Sequence, residues 1–277
     1  MKRILLILFL LSPVLLWSQF EAGIMAGVSS YQGDLSPSNL RTSVGKFHAA
    51  FGGFGRYNIN NFFAAKLGLT YGTISGDDAE EFRSRNLSFK SNFLEFALTA
   101  EWNILGYQPY ALERVFTPYL FIGVAGLHFN PRTFYDNEWI ELQPLGTEGQ
   151  GMQGFPAKYS LLAFSVPFGG GLKYAINDQW NLGVELGFRK TFTDYLDDVS
   201  GNYVDEELLI AGNGSLAAAL ANRSGHPVSG GSQRGNDAVS DWYLILGFSL
   251  SYNFIDNGLV GSRTKLRGRK KGCYNNF

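Results

Sequence analysis

The chain has 277 residues, of which 15% are aromatic and only 17% are charged, and its formal net charge is −1. This charge balance excludes the overall basic footprint of a nucleic-acid-binding protein. The single cysteine, Cys273, excludes an internal disulfide framework.

The first residues have the pattern of an export signal. Lys2 and Arg3 precede the apolar run 4–11, Pro13 interrupts this run, and Ser18 supplies a small residue before Gln19. A membrane-spanning helix needs about 20 consecutive apolar residues, which this segment does not offer. The pattern therefore predicts a signal peptide over residues 1–18, with cleavage after Ser18.

Eight amphipathic runs follow, and each alternates apolar and polar residues as a β-strand does. The connections between them also alternate, since the first, third, fifth and seventh are long or turn-rich and the others are mostly tight. Outer-membrane barrels show this asymmetry between long extracellular loops and short periplasmic turns. The sequence predicts an all-β, eight-stranded antiparallel transmembrane barrel over residues 19–256 of a cell outer membrane. Its strands are expected near 20–30, 44–57, 63–71, 94–104, 117–129, 159–176, 180–188 and 242–254.

Charged residues recur on the face that the alternation assigns to the lumen. In an eight-stranded barrel the interior is just wide enough for side chains, so we expect these groups to pair as a polar plug, with an ion path as the alternative. The predicted lumen network comprises Lys66, Glu95, Glu101, Lys173, Glu185 and Arg189. Pro167, inside the sixth predicted strand, indicates a bulge or a bend.

Two long segments on the predicted extracellular side, 130–158 and 194–240, could contact a partner or merely decorate the surface. Residues 208–221 are rich in Ala and Leu and predict a short helix interrupted by Gly212 and Gly214.

An enzymatic role would require a catalytic constellation, and the candidates are few. His48, His128 and His226 are far apart in sequence, although His226 lies close to Ser224. A lipid-modifying barrel enzyme would need one of these histidines beside a serine or an acid at one rim. We expect no catalysis, no cofactor and no small-molecule substrate.

The chain continues beyond the last strand in a basic tail, residues 257–277. With eight crossings and a periplasmic start, this tail is expected in the periplasm, where it could dock on an acidic partner or act only as a solubilising end. A lone cysteine in an exported chain indicates intermolecular pairing or a free thiol. The predicted partner-binding residues are Arg263, Lys265, Arg267, Arg269, Lys270, Lys271 and Cys273.

Four segments carry a resemblance to a known family: the opening 21–35 with its Tyr-Gln-Gly-Asp-Leu stretch at 31–35, then 56–58, 117–119, and the Lys-Gly-Cys-Tyr ending at 271–274. They resemble the PorG-like outer-membrane barrels of Bacteroidetes. This resemblance implies a component of the type IX secretion and gliding machinery. Its implied partners are a periplasmic ring lipoprotein and the associated subunit, together with outer-membrane lipid. The alternative is a general small barrel that acts through its surface loops in adhesion or surface protection.

Overall fold

A computed structural model describes residues 20–36, 46–78, 85–108 and 114–254 of the chain. The predicted signal peptide, the basic tail with its six cations, and Cys273 lie outside these residues. The described elements are nine strands and two helices: β1 Phe20–Gln32, β2 His48–Asn58, β3 Phe63–Asp77, β4 Ser88–Asn103, β5 Phe116–Tyr135, β6 Glu138–Glu141, β7 Leu162–Ala175, β8 Trp180–Thr191, α1 Glu206–Asn213, α2 Ser215–Ala221 and β9 Trp242–Asn253.

Eight of these strands form a closed antiparallel barrel. Each pairs with its neighbours in the order β4, β3, β2, β1, β9, β8, β7, β5, and β4 pairs with β5 to close the circle. The first and last strands meet over their whole length, from Glu21 opposite Asn253 to Gln32 opposite Trp242. The short β6 pairs only with the end of β5 and extends the wall at one rim. The predicted eight-stranded antiparallel barrel is confirmed.

The two faces of the wall differ as a membrane barrel requires. In β9, Tyr243 and Ile245 are buried inside the barrel, whereas Phe248 and Leu250 are exposed on the outside. The other strands repeat this alternation, which produces an apolar outer belt that includes Ile24, Phe51, Leu69, Phe96, Ile122, Val124, Leu182 and Phe248. An apolar outer band around a polar interior is the architecture of barrels in the bacterial outer membrane, where the protein resides.

The two ends of the barrel are built differently. At one end the connections 59–62 and 176–179 are tight, and Phe20 and Phe254 lie side by side with ring centroids 5.6 Å apart. The connection 104–115 at this end is longer, as the predicted strand bounds 94–104 and 117–129 imply. At the opposite end lie the connections 33–47, 78–87, 136–161 and 192–241. By the predicted orientation, the first end is periplasmic and the second extracellular.

The wall extends beyond the bilayer on the extracellular side. A transmembrane strand needs about 9–11 residues, whereas β4 has 16 residues and β5 has 20. The expectation that 130–158 is entirely loop was wrong for its first residues. β5 continues to Tyr135 and turns back as β6, because Arg132 to Tyr135 find hydrogen-bonding partners in Glu138–Glu141.

Pro167 causes no bulge. The pairing of β5 with β7 skips Gly123 and Val124 but keeps the same register on both sides, with Ile122 opposite Phe168 and Ala125 opposite Ser165. An extra residue would have shifted this register. Because proline has no N–H to donate, it interrupts the ladder on one side, while Pro167 still pairs with Arg189 on the other.

The helical segment between β8 and β9 has one break where two were expected. Gly214 separates α1 from α2, and its φ of 94° explains why glycine occupies this position. Gly212 instead lies within α1, where its bare backbone packs against Met152. Within the described ranges, neither helix is long or apolar enough to cross a membrane.

Candidate functional site

The charged residues predicted for the lumen face inward and contact one another. Glu101 is their hub, since its carboxylate lies 2.5 Å from Lys173 Nζ and 3.5 Å from Lys66 Nζ. Lys66 also pairs with Glu185, which accepts a 2.7 Å hydrogen bond from the Tyr119 hydroxyl. These contacts join five strands of the barrel near its periplasmic half.

Sequence reasoning missed two members of this network, Glu21 and Arg56. The Arg56 guanidinium lies 2.5 Å from Glu21 and 2.8 Å from Glu101, and both Glu21 and Arg56 are buried. The alternation of inward and outward side chains along each strand could have identified them, because the two residues occupy inward positions of β1 and β2. With them, the ion pairs that the described residues form across the lumen comprise four acids and four bases: Glu21, Glu95, Glu101 and Glu185 against Arg56, Lys66, Lys173 and Arg189.

A second ion cluster lies toward the extracellular half. Arg189 Nε is 3.3 Å from Glu95, and the Tyr243 hydroxyl also donates to Glu95. Between the two clusters lies a cavity of about 50 Å³, lined by charged groups from both. It has room for only a few water molecules, so the lumen is filled rather than open.

Above these ions the lumen becomes an apolar core. Phe89, Phe93, Phe129 and Ile245 from the strands are buried here together with side chains of the long connections, including Leu35, Leu142, Leu196, Val199 and Leu220. The extracellular connections therefore fold inward over the barrel mouth. We refer to the described extracellular connections, 33–36, 78, 85–87, 142–161 and 192–241, as the cap.

Arg234 is the centre of the polar contacts within the cap. Its guanidinium donates to Glu148 at 2.7 Å, to the carbonyl oxygen of Asp198 at 2.6 Å and to that of Ala221 at 3.2 Å. Asp198 also accepts hydrogen bonds from Thr147 and Tyr159. These contacts join the third extracellular connection to the fourth.

Arg85 ties the remaining connections to the same structure. It donates to the Asp78 carboxylate at 2.6 Å, to the Asp34 carbonyl at 3.2 Å and to the Arg234 carbonyl. All four extracellular connections are thus joined through buried or half-buried arginines.

Tyr31 fastens the fourth connection to the barrel wall. Its hydroxyl lies 2.7 Å from Asp197 Oδ2 and 2.7 Å from Asp241 Oδ1, at the two ends of that connection. A tyrosine hydroxyl has one proton to donate, so one of these two contacts must be donated by a protonated carboxyl group. Burial, and for Asp241 also the nearby Asp197 charge, holds the pKa of both carboxyls well above the ordinary value.

Other cap carboxyls are also shifted. Burial is the main cause that raises the pKa of Asp194 to about 7 and that of Asp198 to about 6, and it raises the pKa of Asp34. Neighbouring carboxylates add to the shift of Asp194, and Arg234 opposes that of Asp198. The cap therefore carries several carboxyl groups whose charge changes well above the usual pH range for aspartate.

The three histidines lie in different surroundings. His48 Nε2 is 2.6 Å from Ser75 Oγ near the extracellular rim, which is the minimum contact that the enzymatic alternative required. His128 is exposed on the outer face of β5, and the backbone carbonyl of His226 accepts hydrogen bonds in an exposed turn. Across the described ranges, no three His, Cys, Asp or Glu side chains are grouped as metal ligands.

Comparison with known proteins identifies a family and similar folds. The sequence model of the family DUF6089, a domain of unknown function, matches residues 1–214. No curated protein matches the chain.

Three solved structures illustrate the similarity in fold. Neisserial surface protein A has 8% identity, with 86% of this chain and 98% of that chain covered and a TM-score of 0.44. The outer membrane protein OprG of Pseudomonas aeruginosa has 12% identity, coverage of 85% and 97%, and a TM-score of 0.41. Ail of Yersinia pestis, solved with the heparin analogue sucrose octasulfate, has 10% identity, coverage of 84% and 98%, and a TM-score of 0.38. At these scores, the fold assignment rests on the strand pairing of this chain itself. The match over residues 1–214 shows that the chain belongs to the DUF6089 family.

Proposed function

We propose that this outer-membrane barrel is a non-enzymatic component of a type IX protein secretion and gliding machinery, which it serves by anchoring a periplasmic ring complex to the membrane. The observation that carries the proposal is the filled lumen beneath a folded cap. Ion pairs cross the lumen, and the cavity between the two ion clusters measures only about 50 Å³, which favours action through the surfaces of the barrel.

The position of the barrel ends supports contact on the periplasmic side. Phe254, the last described residue, donates its backbone N–H to the Phe20 carbonyl at 3.0 Å, at the end with the tight turns. The sequence continues from this point into a tail with the cations Arg263, Lys265, Arg267, Arg269, Lys270 and Lys271. Such a segment suits an acidic docking site on the ring lipoprotein or its associated subunit.

The test is co-purification of the ring with a tail-deleted protein. Deleting residues 259–277 should abolish co-purification, while the barrel still inserts and shows heat-modifiable mobility on gels. A matched variant keeps the tail length and replaces its six cations by Gln, and it should lose co-purification as well if charge carries the contact. Unchanged co-purification of the ring with both variants would contradict the proposal.

Cys273 is tested separately. If it forms a disulfide with a partner, Cys273→Ser removes a partner-sized band from non-reducing gels. If the contact is only electrostatic, this variant retains both the ring and the unchanged band pattern.

A second candidate function is surface binding through the extracellular loops, as in adhesion or surface protection. The ordered cap favours it, since surface decoration alone needs no buried Arg234 network. Shortening the third connection between Tyr135 and Leu162, without disturbing β5, would abolish binding at the cell surface and leave co-purification of the ring intact. The tail deletion would have the opposite effect.

A further inference from the structure

The cap contains an open pocket that the proposed periplasmic role does not use. Its volume is about 580 Å³, and it lies between the third and fourth extracellular connections. This is within the range of pockets that hold small ligands, about 300–1,000 Å³. Rings and apolar groups from Phe155, Tyr195, Tyr203 and Leu208 line it, together with the exposed Asn202 and the buried Gln150.

The walls of this pocket are held in place by buried contacts. The Glu148 carboxylate accepts hydrogen bonds from the backbone N–H groups of Ser200 and Gly201 at 3.0 and 3.1 Å, and it also accepts one from the Arg234 guanidinium. Tyr195 stacks on Tyr159, with ring centroids 4.6 Å apart and planes only 6° from parallel. A ligand would therefore meet a preformed site and would not have to order these groups itself.

The charges around the pocket disfavour charged ligands. No Lys or Arg belongs to the described residues that line it, so an anionic ligand would find no cation there. Glu148 is neutralised by Arg234. Asp205 uses its carboxylate to cap α1, where it accepts from the N–H groups of Glu207 and Leu208. Glu148 is therefore not free to serve as the counter-ion of a cationic ligand, and the N-terminus of α1 partly balances the charge of Asp205.

What remains is a ligand that has both apolar faces and uncharged hydrogen-bonding groups. Aromatic rings can pack against the C–H face of a sugar, and the exposed side-chain amide of Asn202 can donate to and accept from its hydroxyls. We propose that this pocket binds a neutral saccharide on the extracellular side.

The test uses the full chain in detergent on an array of neutral, sialylated and sulfated glycans. We expect binding to neutral glycans only. Gly201→Trp should weaken it at least tenfold, because a Cβ at Gly201 would meet only Glu148 Oε2, at 3.6 Å, which leaves open space for the indole to fill the pocket.

Two exposed leucines of the helical segment provide a matched pair for this test. Leu208 lines the pocket and is 49% exposed, whereas Leu216 is 37% exposed and does not belong to the lining. Leu208→Ala should weaken binding about threefold or more, and Leu216→Ala should leave it unchanged, with neither disturbing the fold. The proposal is overturned if no neutral glycan binds, if only sialylated or sulfated glycans bind, or if Gly201→Trp and Leu208→Ala bind as the unaltered chain does.

Discussion

At the scale of single residues, Glu101 is the position on which the lumen depends most. It is 1% exposed and faces Arg56, Lys66 and Lys173, which come from three different strands. A buried ion pair adds little net stability, because desolvation of the charges offsets their attraction, but removing one partner leaves an uncompensated charge. Glu101 is thus held by three cations, and Glu21 and Glu185 balance the rest of their charge.

Glu101→Ala is therefore expected to destabilise the barrel by about 3–5 kcal/mol, the cost typical of breaking a buried pair from one side. Urea titration of the barrel in lipid vesicles measures this change. Glu141→Ala is the matched control, since Glu141 pairs with Arg132 at the surface, where both side chains are nearly half exposed, and such pairs contribute about 0–1 kcal/mol. Equal losses in the two variants would contradict the role given to Glu101.

At the scale of elements, closure of the barrel depends on the seam between β1 and β9. Gly27 lies opposite Gly247 at this seam. A Cβ added at Gly27 would lie 2.0 Å from the Leu246 carbonyl oxygen and 2.7 Å from Gly247 Cα. Because these are backbone atoms, they cannot rotate away, so the close approach of the two strands requires glycine.

Gly27→Val is expected to prevent closure, because the two strands cannot pair with a side chain between them. The heat-modifiable, compact band of the folded barrel on semi-native gels should be lost. Gly126→Ala is the control, since a Cβ at that strand glycine would meet nothing within 4 Å, and its compact band should persist. A folded Gly27→Val barrel would show that the seam can separate.

At the scale of the whole molecule, the cap and the barrel form one structure. Tyr31 of β1 holds both ends of the fourth connection through Asp197 and Asp241, and Arg85 and Arg234 join the other connections to it. The same arrangement makes the cap sensitive to pH, because several of its carboxyls prefer to be protonated.

The direction of this pH dependence follows from the raised pKa values. A carboxyl with a raised pKa in the folded cap binds its proton more tightly than in the open cap, where the pKa is about 3.9. Its contribution to the stability of the folded cap is complete below about pH 4. This contribution is lost as the pH rises, up to about pH 6 for Asp198 and about pH 7 for Asp194. Hydrogen exchange of segment 194–241, corrected for the intrinsic rate, should show lower protection at pH 8 than at pH 5.

Asp194→Asn should reduce this loss of protection, because the substituted side chain cannot ionise. The recovered stability at pH 8 is expected to be about 1–2 kcal/mol, less than the full pKa difference implies, since Asp194 is partly solvated. Protection that increases with pH would contradict the assignment.

The sequence by itself determined the barrel, because strand alternation is a local property with a period of two residues. That periodicity places Glu101 and Lys173 on the inner face, and the alternation of connection lengths separates the two ends. Periodicity could not show which inward groups meet, since that depends on the register and tilt of strands distant in sequence. Arg56 contacting Glu101 is such a case.

Only the tertiary structure shows how the long loops pack over the barrel mouth. Tyr31 and Asp241 are 210 positions apart, and no periodic pattern links them. The loop sequences are polar and have no periodic pattern, which is typical of exposed surface segments. In the structure, however, Arg234, Glu148 and Asp198 are buried together. Their burial results from four connections folding over one barrel mouth, which the residues of any single connection cannot reveal.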